Sequence, residues 1–403
     1  MSVLGGKNIL LGITAGIAAY KTAFLVRLFI KAGANVQVVM TPASKDFVTP
    51  LTLSTLSKRP VHSTFFNKED ENEKWNNHVD LALWADLMVI APVTANTMAK
   101  MSDGTCDNLL LATYLSAKSM VYFAPAMDLD MYQHQTTGEN IKKLQDFGNI
   151  LIAPTSGELA SGLIGEGRMA EPEEIVEFIE KDISSKLPLN GKKVLITAGP
   201  TYEAIDPVRF IGNHSSGKMG FSLAERAADL GAAVILITGP TNEKTDNTLI
   251  ERIDVVTAEN MYEATHDNIK DIDVAIFAAA VADYTPVEVA SQKMKKKDIS
   301  LNIDLKPTKD ILASVGEIKK DLFLVGFALE TNDELKHAIG KLKQKNLDLI
   351  VLNSLQDKGA GFKSNTNKVT LIDRMENITS FKLKSKTEVA GDIFNLIIKN
   401  INV

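Results

Sequence analysis

NILLGIT (residues 8–14) runs into Ala15-Gly16, and KVLIT (residues 193–197) runs into Ala198-Gly199-Pro200. Each is a short apolar run that meets a glycine turn, and the first continues into a stretch of helical spacing. A strand enters a helix in this way in an α/β fold. Working outward from the first run, residues 18–31 carry the helical period, Gly33 ends it, and NVQVVMT (35–41) is the next strand. Residues 86–91, 120–124 and 149–153 continue the strands, and 173–185 is helical. Outward from the second run the pattern restarts. DLGAAVILITGP (229–240) parallels KAGANVQVVMTP (31–42), and DIDVAIFAAAVA (271–282) parallels WADLMVIAPVTA (84–95). Shared ancestry of the halves and ordinary α/β grammar both produce such echoes. Between the blocks, KLPLNGKK (186–193) breaks structure with Pro, Asn and Gly. The expectation is an α/β protein of two Rossmann-like doubly wound domains, residues 1–188 and 189–403, with ligands beyond the carboxyl ends of the strands.

Composition bounds the function. The chain has 403 residues, 45% hydrophobic and 23% charged, with 44 Lys plus Arg against 50 Asp plus Glu for a net charge of −6. That balance excludes a disordered chain, a fibre or a coiled coil. It also argues against a nucleic-acid or anionic-membrane binder, which needs clustered positive charge. No apolar stretch approaches the ~18 residues that cross a bilayer. The run at 9–20 has the apolarity of a signal-peptide core, but Gly12, Thr14 and Gly16 make it a buried strand meeting a turn. A single cysteine, Cys106, excludes a disulfide framework or a Cys-based zinc site. The six histidines never fall at metal-ligand spacing. A soluble cytoplasmic protein without a structural metal is expected.

The turn at Gly12, Thr14 and Gly16 suits a phosphate at a helix start. It is not GxGxxG, and the second strand ends in Thr41-Pro42 rather than an acidic residue that would hold a ribose. FMN therefore fits better than NAD. Past the third strand, APVTANTMAK (91–100) sets out Thr94, Asn96 and Thr97, either against an isoalloxazine edge or ribityl chain or as a helix N-cap. His78, before an apolar segment, reads alone as structural. GNHSSGK (212–218) meets the P-loop spacing until Met219 replaces the magnesium-binding hydroxyl, so a P-loop NTPase is rejected. Ser215–Gly217 remain a helix start with NH groups for an anion. The lysine run at 293–297 reads alone as a solvated face, Asp283-Tyr284 as a strand end, and Lys341 and Lys345 as an exposed helix line.

Longer motifs are specific. GITAGIAAYK (12–21), APVTANT (91–97) and PAMDLDM (125–131) resemble the flavin-dependent cysteine decarboxylases, and GELASGLIGEGRM (157–169) resembles their substrate-covering flap. Residues 197–220, AAAVADY (278–284), KMKK (293–296), VGFALET (325–331) and KLKQKNLDLIVLN (341–353) extend the likeness in order. Over its length the chain resembles the bifunctional phosphopantothenoylcysteine decarboxylase/phosphopantothenate–cysteine ligases of coenzyme A biosynthesis. The resemblance implies ligation of 4′-phosphopantothenate with cysteine, driven by CTP and Mg2+ through an acyl-cytidylate. FMN-dependent decarboxylation of the product to 4′-phosphopantetheine follows. It implies an FMN site at Gly12, Thr14, Gly16, Ile17, Thr41, Thr94, Asn96 and Thr97. His78, Asp128 and Ser161 take the catalytic positions, with Met131, Gly162, Arg168 and Met169 at the substrate. In the second half, Asn213 takes a catalytic position, facing the acyl-cytidylate with its amide to stabilise charge on the reacting carbonyl. Arg209, Phe277, Ala278, Ala279, Asp283, Lys293, Lys309, Asp310, Ile311, Leu312, Phe327, Lys341 and Lys345 meet nucleotide or substrate, and Asp283 also meets the metal. A homo-oligomer is implied, with trimeric flavin domains joined through dimeric ligase domains and flavin sites lying between subunits.

Three positions depart from the family pattern. The flap cysteine that donates the last proton is Ser161, whose hydroxyl is far less acidic than a thiol titrating near ~8.5. Asp128 stands where the family has Asn, and Lys309 where it has Pro. Cys106 lies in a different segment and does not replace the flap cysteine. Two further readings follow: a ligase joined to an oxidative decarboxylase that releases an enethiol, and a flavoprotein kept as a binding or regulatory subunit. The intact ligase motifs weigh against the latter.

Overall fold

The computed structural model describes residues 2–66, 75–159, 161–295, 302–330, 333–354 and 364–401. The chain divides into two units, Ser2–Ser185 and Lys186–Val403. In the first, β1 (Asn8–Ile13), β2 (Asn35–Met40), β3 (Leu87–Val93), β4 (Met120–Pro125) and β5 (Ile150–Leu151) pair in parallel in the order β2-β1-β3-β4-β5. Their near-continuous apolarity follows from burial on both faces. Leu11, Val38, Val89 and Tyr122 pack on one side with Val26 and Phe29 of helix Thr22–Lys31. Leu10, Met88, Ile90 and Phe123 pack on the other with Met98 and Leu110. The helix expected over 18–31 opens as a 3-10 turn, Ile17–Lys21, where the Ala19 NH closes onto the Gly16 carbonyl at 2.9 Å. The strand expected over 149–153 pairs only at Ile150–Leu151, and the chain then leaves the sheet through Pro154. A hairpin, β6 (Thr155–Glu158) with β7 (Ile164–Arg168), forms the flap.

The second unit holds an eight-stranded sheet. Its strands are β8 (Lys193–Ala198), β9 (Ala233–Thr238), β10 (Ile250–Asp254), β11 (Val274–Phe277), β12 (Phe323–Glu330), β13 (Leu349–Ser354), β14 (Val369–Asp373) and β15 (Ile378–Ser380). The order is β10-β9-β8-β11-β12-β13-β14-β15, parallel through β13 and antiparallel for the last two. Both units are doubly wound, but differently. The first has the 2-1-3-4-5 order of flavodoxin-like folds, and the second carries the 3-2-1-4-5-6 order of dinucleotide-binding folds plus its antiparallel edge. The sequence echo is therefore positional. It matches β1 to β8, β2 to β9 and β3 to β11, while β10 has no counterpart.

Helix Lys386–Ile401 closes the second unit, with Val389, Ile393, Phe394 and Ile397 in the same core as Leu223, Ala224 and Ala227 of helix Lys218–Asp229. Phe394 is fully buried, and Phe394→Ala is expected to destabilise this unit by about 3–5 kcal/mol through lost transfer energy and a cavity. Both tryptophans, Trp75 and Trp84, lie in the first unit. Fluorescence-detected denaturation should then stay at the parent midpoint while the remaining circular-dichroism transition moves down.

Candidate functional site

A cavity of about 900 Å³ opens in the first unit beyond the carboxyl ends of the strands, and residues following β1 and β3 line it. The connections from β1 and β3 leave toward opposite edges there, which makes it the switch point where this topology takes a ligand. Gly16, Ile17, Thr41, Thr94, Asn96 and Thr97 line it. Thr41 Oγ1 is buried without a hydrogen-bond partner, which suits a bound polar group. Thr94 caps helix Ala95–Asp103 through the Thr97 NH at 3.4 Å, so the cap and the cavity wall are the same residue. Thr14 and Gly12 stand behind this lining. The Thr14 hydroxyl donates to the Pro92 carbonyl at 2.8 Å and accepts from the Thr94 NH at 3.1 Å. It ties β1 to β3 rather than facing a phosphate, as its place in the turn had suggested. Gly12 lies within β1, where a Cβ would meet Leu110 Cδ1 at 2.6 Å.

Asp128, Met131, Ser161, Arg168 and Met169 complete the far wall. Asp128 caps helix Leu129–Gln133, accepting from the Leu129 NH at 2.7 Å, and the same Oδ1 accepts from the Ser161 hydroxyl at 2.9 Å. Two of the three departures from the family pattern, Asp128 and Ser161, therefore touch each other. Close backbone packing brings them together: at Gly167 (φ +139°) a Cβ would lie 2.4 Å from the Met127 carbonyl oxygen. Gly162, at φ +84°, turns the flap tip and lies outside the cavity lining. Arg168 and Lys21 both meet Glu171, at 2.5 and 2.9 Å. The Lys21 ammonium first, then Arg168, hold the Glu171 carboxyl below its usual range against the opposing effect of burial. Lys100, paired with Asp107 at 2.5 Å, and Asn108 also line the cavity and had no distinct signal in the sequence. His78 does not line it. Its ring packs edge-on to Phe65 and Trp75, and its buried Nδ1 has no partner.

In the second unit a cavity of about 580 Å³ is lined from Thr197 at the end of β8 and from the segment following β11. Asn213, Phe277, Ala278, Ala279 and Asp283 line it, with Lys309, Asp310, Ile311, Leu312, Phe327 and Lys345 opposite them in sequence. Two of the expected cations are already paired. Lys309 meets Glu259 at 2.5 Å and lies over the Tyr262 ring, and Lys345 meets Asp310 at 2.7 Å. Burial pushes the Asp310 carboxyl up, but Lys345 and the Ala313 NH bring it below its ordinary value. The Asn213 amide nitrogen donates to the Ala280 and Val281 carbonyls at 3.1 and 3.0 Å, so it holds the segment after β11. Arg209, Lys293 and Lys341 do not line the cavity. Two motif members, Lys296 and Thr331, lie outside the described residues. Lys218, the last residue of the GNHSSGK motif, lines it, and so does Lys386, which was not singled out from the sequence. Lys386 sits in an unremarkable lysine-rich stretch, and only the path of the last helix brings it here. Among the described residues no group of three or more His, Cys, Asp or Glu side chains could hold a metal ion.

Residues 2–184 match the family model "Flavoprotein", and residues 189–401 match "DNA/pantothenate metabolism flavoprotein C-terminal domain". The chain is thus a flavoprotein with a pantothenate-metabolism C-terminal domain. A coenzyme A biosynthesis bifunctional protein CoaBC from Bacillus subtilis (strain 168) is 45% identical over 397 residues, covering 98% of this chain and 97% of the relative. A protein named cysteine/cysteine sulfinic acid decarboxylase, from an unknown prokaryotic organism, is 54% identical over 357 residues, covering 87% of this chain and 99% of that one. The crystal structure of a C-terminal domain of a CoaBC protein is 39% identical, covers 54% of this chain and 99% of its own, and superposes with a TM-score of 0.47. This chain belongs to the family of coenzyme A biosynthesis bifunctional proteins.

Asp206 organises the segment that carries Arg209. Buried, it accepts from the NH groups of Val208, Arg209 and Met294 and pairs with the Arg209 guanidinium at 2.6 Å, which fixes the backbone beside exposed Lys293. Burial pushes its carboxyl up, but these partners outweigh it and hold it down to about 2. Because the folded value lies below the ordinary 3.8, its contribution to stability is present above 3.8 and is lost as pH falls through about 2. Acid titration of unfolding should show the parent losing stability across that window, and Asp206→Asn, weaker throughout, losing less there.

Proposed function

We propose that the two cavities divide the family's two reactions between them, the ligase in the second unit and the decarboxylase in the first. The chain has the decarboxylase and ligase activities of coenzyme A biosynthesis. The observation that carries the division is that each cavity sits at the switch point of its own sheet and is lined by that half's motifs. In the ligase, a carboxylate attacking the α-phosphate of CTP accumulates charge that Lys345, in the cavity lining, is placed to offset, and Lys293, exposed and outside that lining, joins it once the nucleotide is bound. Asp283, exposed at the cavity wall, would provide one carboxylate to Mg2+. That is the sparse ligation Mg2+ accepts when phosphates and waters complete its shell. Asn213 keeps the segment after β11 against the nucleotide. Lys293→Ala should lower CTP-dependent pyrophosphate release roughly 10²–10³-fold. Carbon dioxide release from preformed phosphopantothenoylcysteine should stay at the parent level.

In the first unit, the Ala15–Ala18 turn, Thr41 and Asn96 would hold FMN, and the unpartnered Thr41 hydroxyl fits that role. FMN, when bound, supplies the two-electron oxidation and the later reduction. The protein's own part is orientation and the proton. The Ser161 hydroxyl, held on the flap by the Asp128 carboxyl 2.9 Å away, is the group placed to pass a proton to the product carbon. The expected product is the saturated 4′-phosphopantetheine. Ser161→Ala removes the hydroxyl and should shift the product toward the enethiol, two hydrogens lighter by mass spectrometry. Ser161→Cys should keep the saturated product. One observation favours the other reading, release of the enethiol by the parent. The Ser161 proton is directed at the Asp128 oxygen, not into the cavity. A parent product two hydrogens light establishes that reading and ends the relay.

A homo-oligomer completes the flavin site in this reading. Exposed apolar side chains, Ile17 at 63% and Leu51 at 76%, with Tyr20 and Phe24, are supported by it as an interface, and so is the unpartnered His78 Nδ1. No helix among the described residues is long and apolar enough to cross a membrane, and we assign the enzyme to the cytoplasm with its small-molecule substrates.

A further inference from the structure

The flap hairpin carries one irregularity, and it decides where an arginine goes. Along β6 and β7, Glu158 faces Ile164, Gly157 faces Gly165 and Ser156 faces Glu166, but Thr155 faces Arg168, so Gly167 is an extra residue. A bulge of this kind moves the following side chain to the other face of the hairpin. Arg168 therefore shares a face with Gly157 and Gly165 instead of with Glu166. Gly157 lies beneath its side chain, where a Cβ would stand 3.3 Å from Arg168 Nη1 and 3.6 Å from Cδ. No left-handed backbone calls for glycine at this position, so what Gly157 supplies is room.

Arg168 is fixed at one nitrogen as well. Its Nη2 meets Glu171 Oε1 at 2.5 Å, and the same oxygen meets Lys21 Nζ at 2.9 Å. Lys21 is the buried partner, its side chain 7% exposed, and its ammonium also donates to the Met169 carbonyl at 3.2 Å. Two cations thus share one carboxylate, which leaves a positive charge over at the root of the flap. Arg168 and Lys21 line the first cavity, whereas Gly157 and Glu171 do not. The Nε and Nη1 of Arg168 donate to no group among the described residues. A guanidinium held at one nitrogen, with the rest of its fork open, suits a pair of carboxylate or phosphate oxygens.

We propose that Gly157 and Glu171 are positioning residues that aim the open edge of Arg168 at an oxyanion of the decarboxylase substrate. The proposal rests on the decarboxylase reading for the identity of that oxyanion. It is either the carboxylate of the cysteinyl end or the phosphate at the other end.

The test uses the full-length, FMN-loaded protein and phosphopantothenoylserine, the oxygen analogue of the substrate, as probe. Calorimetry should give a dissociation constant that rises roughly 10–100-fold in Arg168→Met, the loss expected for a charge-assisted contact. Arg168→Lys, which keeps the charge without the fork, should not restore it. Gly157→Val should approach the same loss with no charge altered, and Glu171→Gln should weaken the probe in the same direction. In steady state the KM for phosphopantothenoylcysteine should rise by the same factors while kcat holds, as a loss of uniform binding requires. Should Gly157→Val fail to fold, Gly157→Ala carries the same expectation in smaller measure. Variants at Gly157 and Glu171 that bind the probe as the parent does, or a loss confined to kcat, overturn the proposal. Probes lacking the carboxylate or the phosphate then name the partner, since the difference between parent and Arg168→Met disappears with the group that Arg168 holds. A difference that survives both deletions overturns the proposal as well. A parent that binds the probe but releases no carbon dioxide from phosphopantothenoylcysteine would instead defeat the decarboxylase reading and leave the positioning of Arg168 standing.

Discussion

Each sheet places its first strand between two neighbours whose connections depart in opposite directions, and a gap beyond the strand ends is the unavoidable result. In the first unit the gap is kept in shape by one hydroxyl. Thr14 Oγ1 bridges the Pro92 carbonyl and the Thr94 NH, so β1 and β3 end at a fixed separation. The cap of helix Ala95–Asp103, the turn at Gly16 and the buried Thr41 hydroxyl are all referred to that bridge. In the second unit the corresponding work falls to the Asn213 amide, which holds the Ala280 and Val281 carbonyls. Both groups are spent on backbone that shapes the cavities.

The strands were legible because they are buried on both faces, which leaves uninterrupted apolar runs such as those of β1 and β3. Sheet order was not legible, since β10 looks like any other strand and only pairing shows that it separates two winding schemes. Much of the first cavity could also be read, because Gly16, Thr94, Asn96 and Thr97 follow strands directly in sequence. Residues that arrive from a distance could not. Lys386 reaches the second cavity only because Phe394 and its neighbours seat the last helix against helix Lys218–Asp229. The Thr14 hydroxyl was misjudged for a related reason. Its position in a turn says that it is near a ligand site, but its partners belong to a segment 78 residues away.

The two cavities differ in how they treat charge. In the first, Lys21, Lys100 and Arg168 all have carboxylate partners, Glu171 and Asp107. That wall is close to neutral. In the second, Lys309 and Lys345 are neutralised locally while Lys218 and Lys386 are not. Potential is therefore concentrated at the end where helix Lys218–Asp229 begins, and a ligand with separated charges meets a graded wall instead of a uniform one.

The hydrogen bond between Ser161 and Asp128 carries a consequence for substitution. The two positions are 33 residues apart in the chain, and the flap rests on backbone at Gly167 with no side chain to cushion it. A substitution at either position changes the chemistry of the other at once. An exchange of the flap residue thus alters the hydrogen bonding of position 128 directly, without passing through the fold.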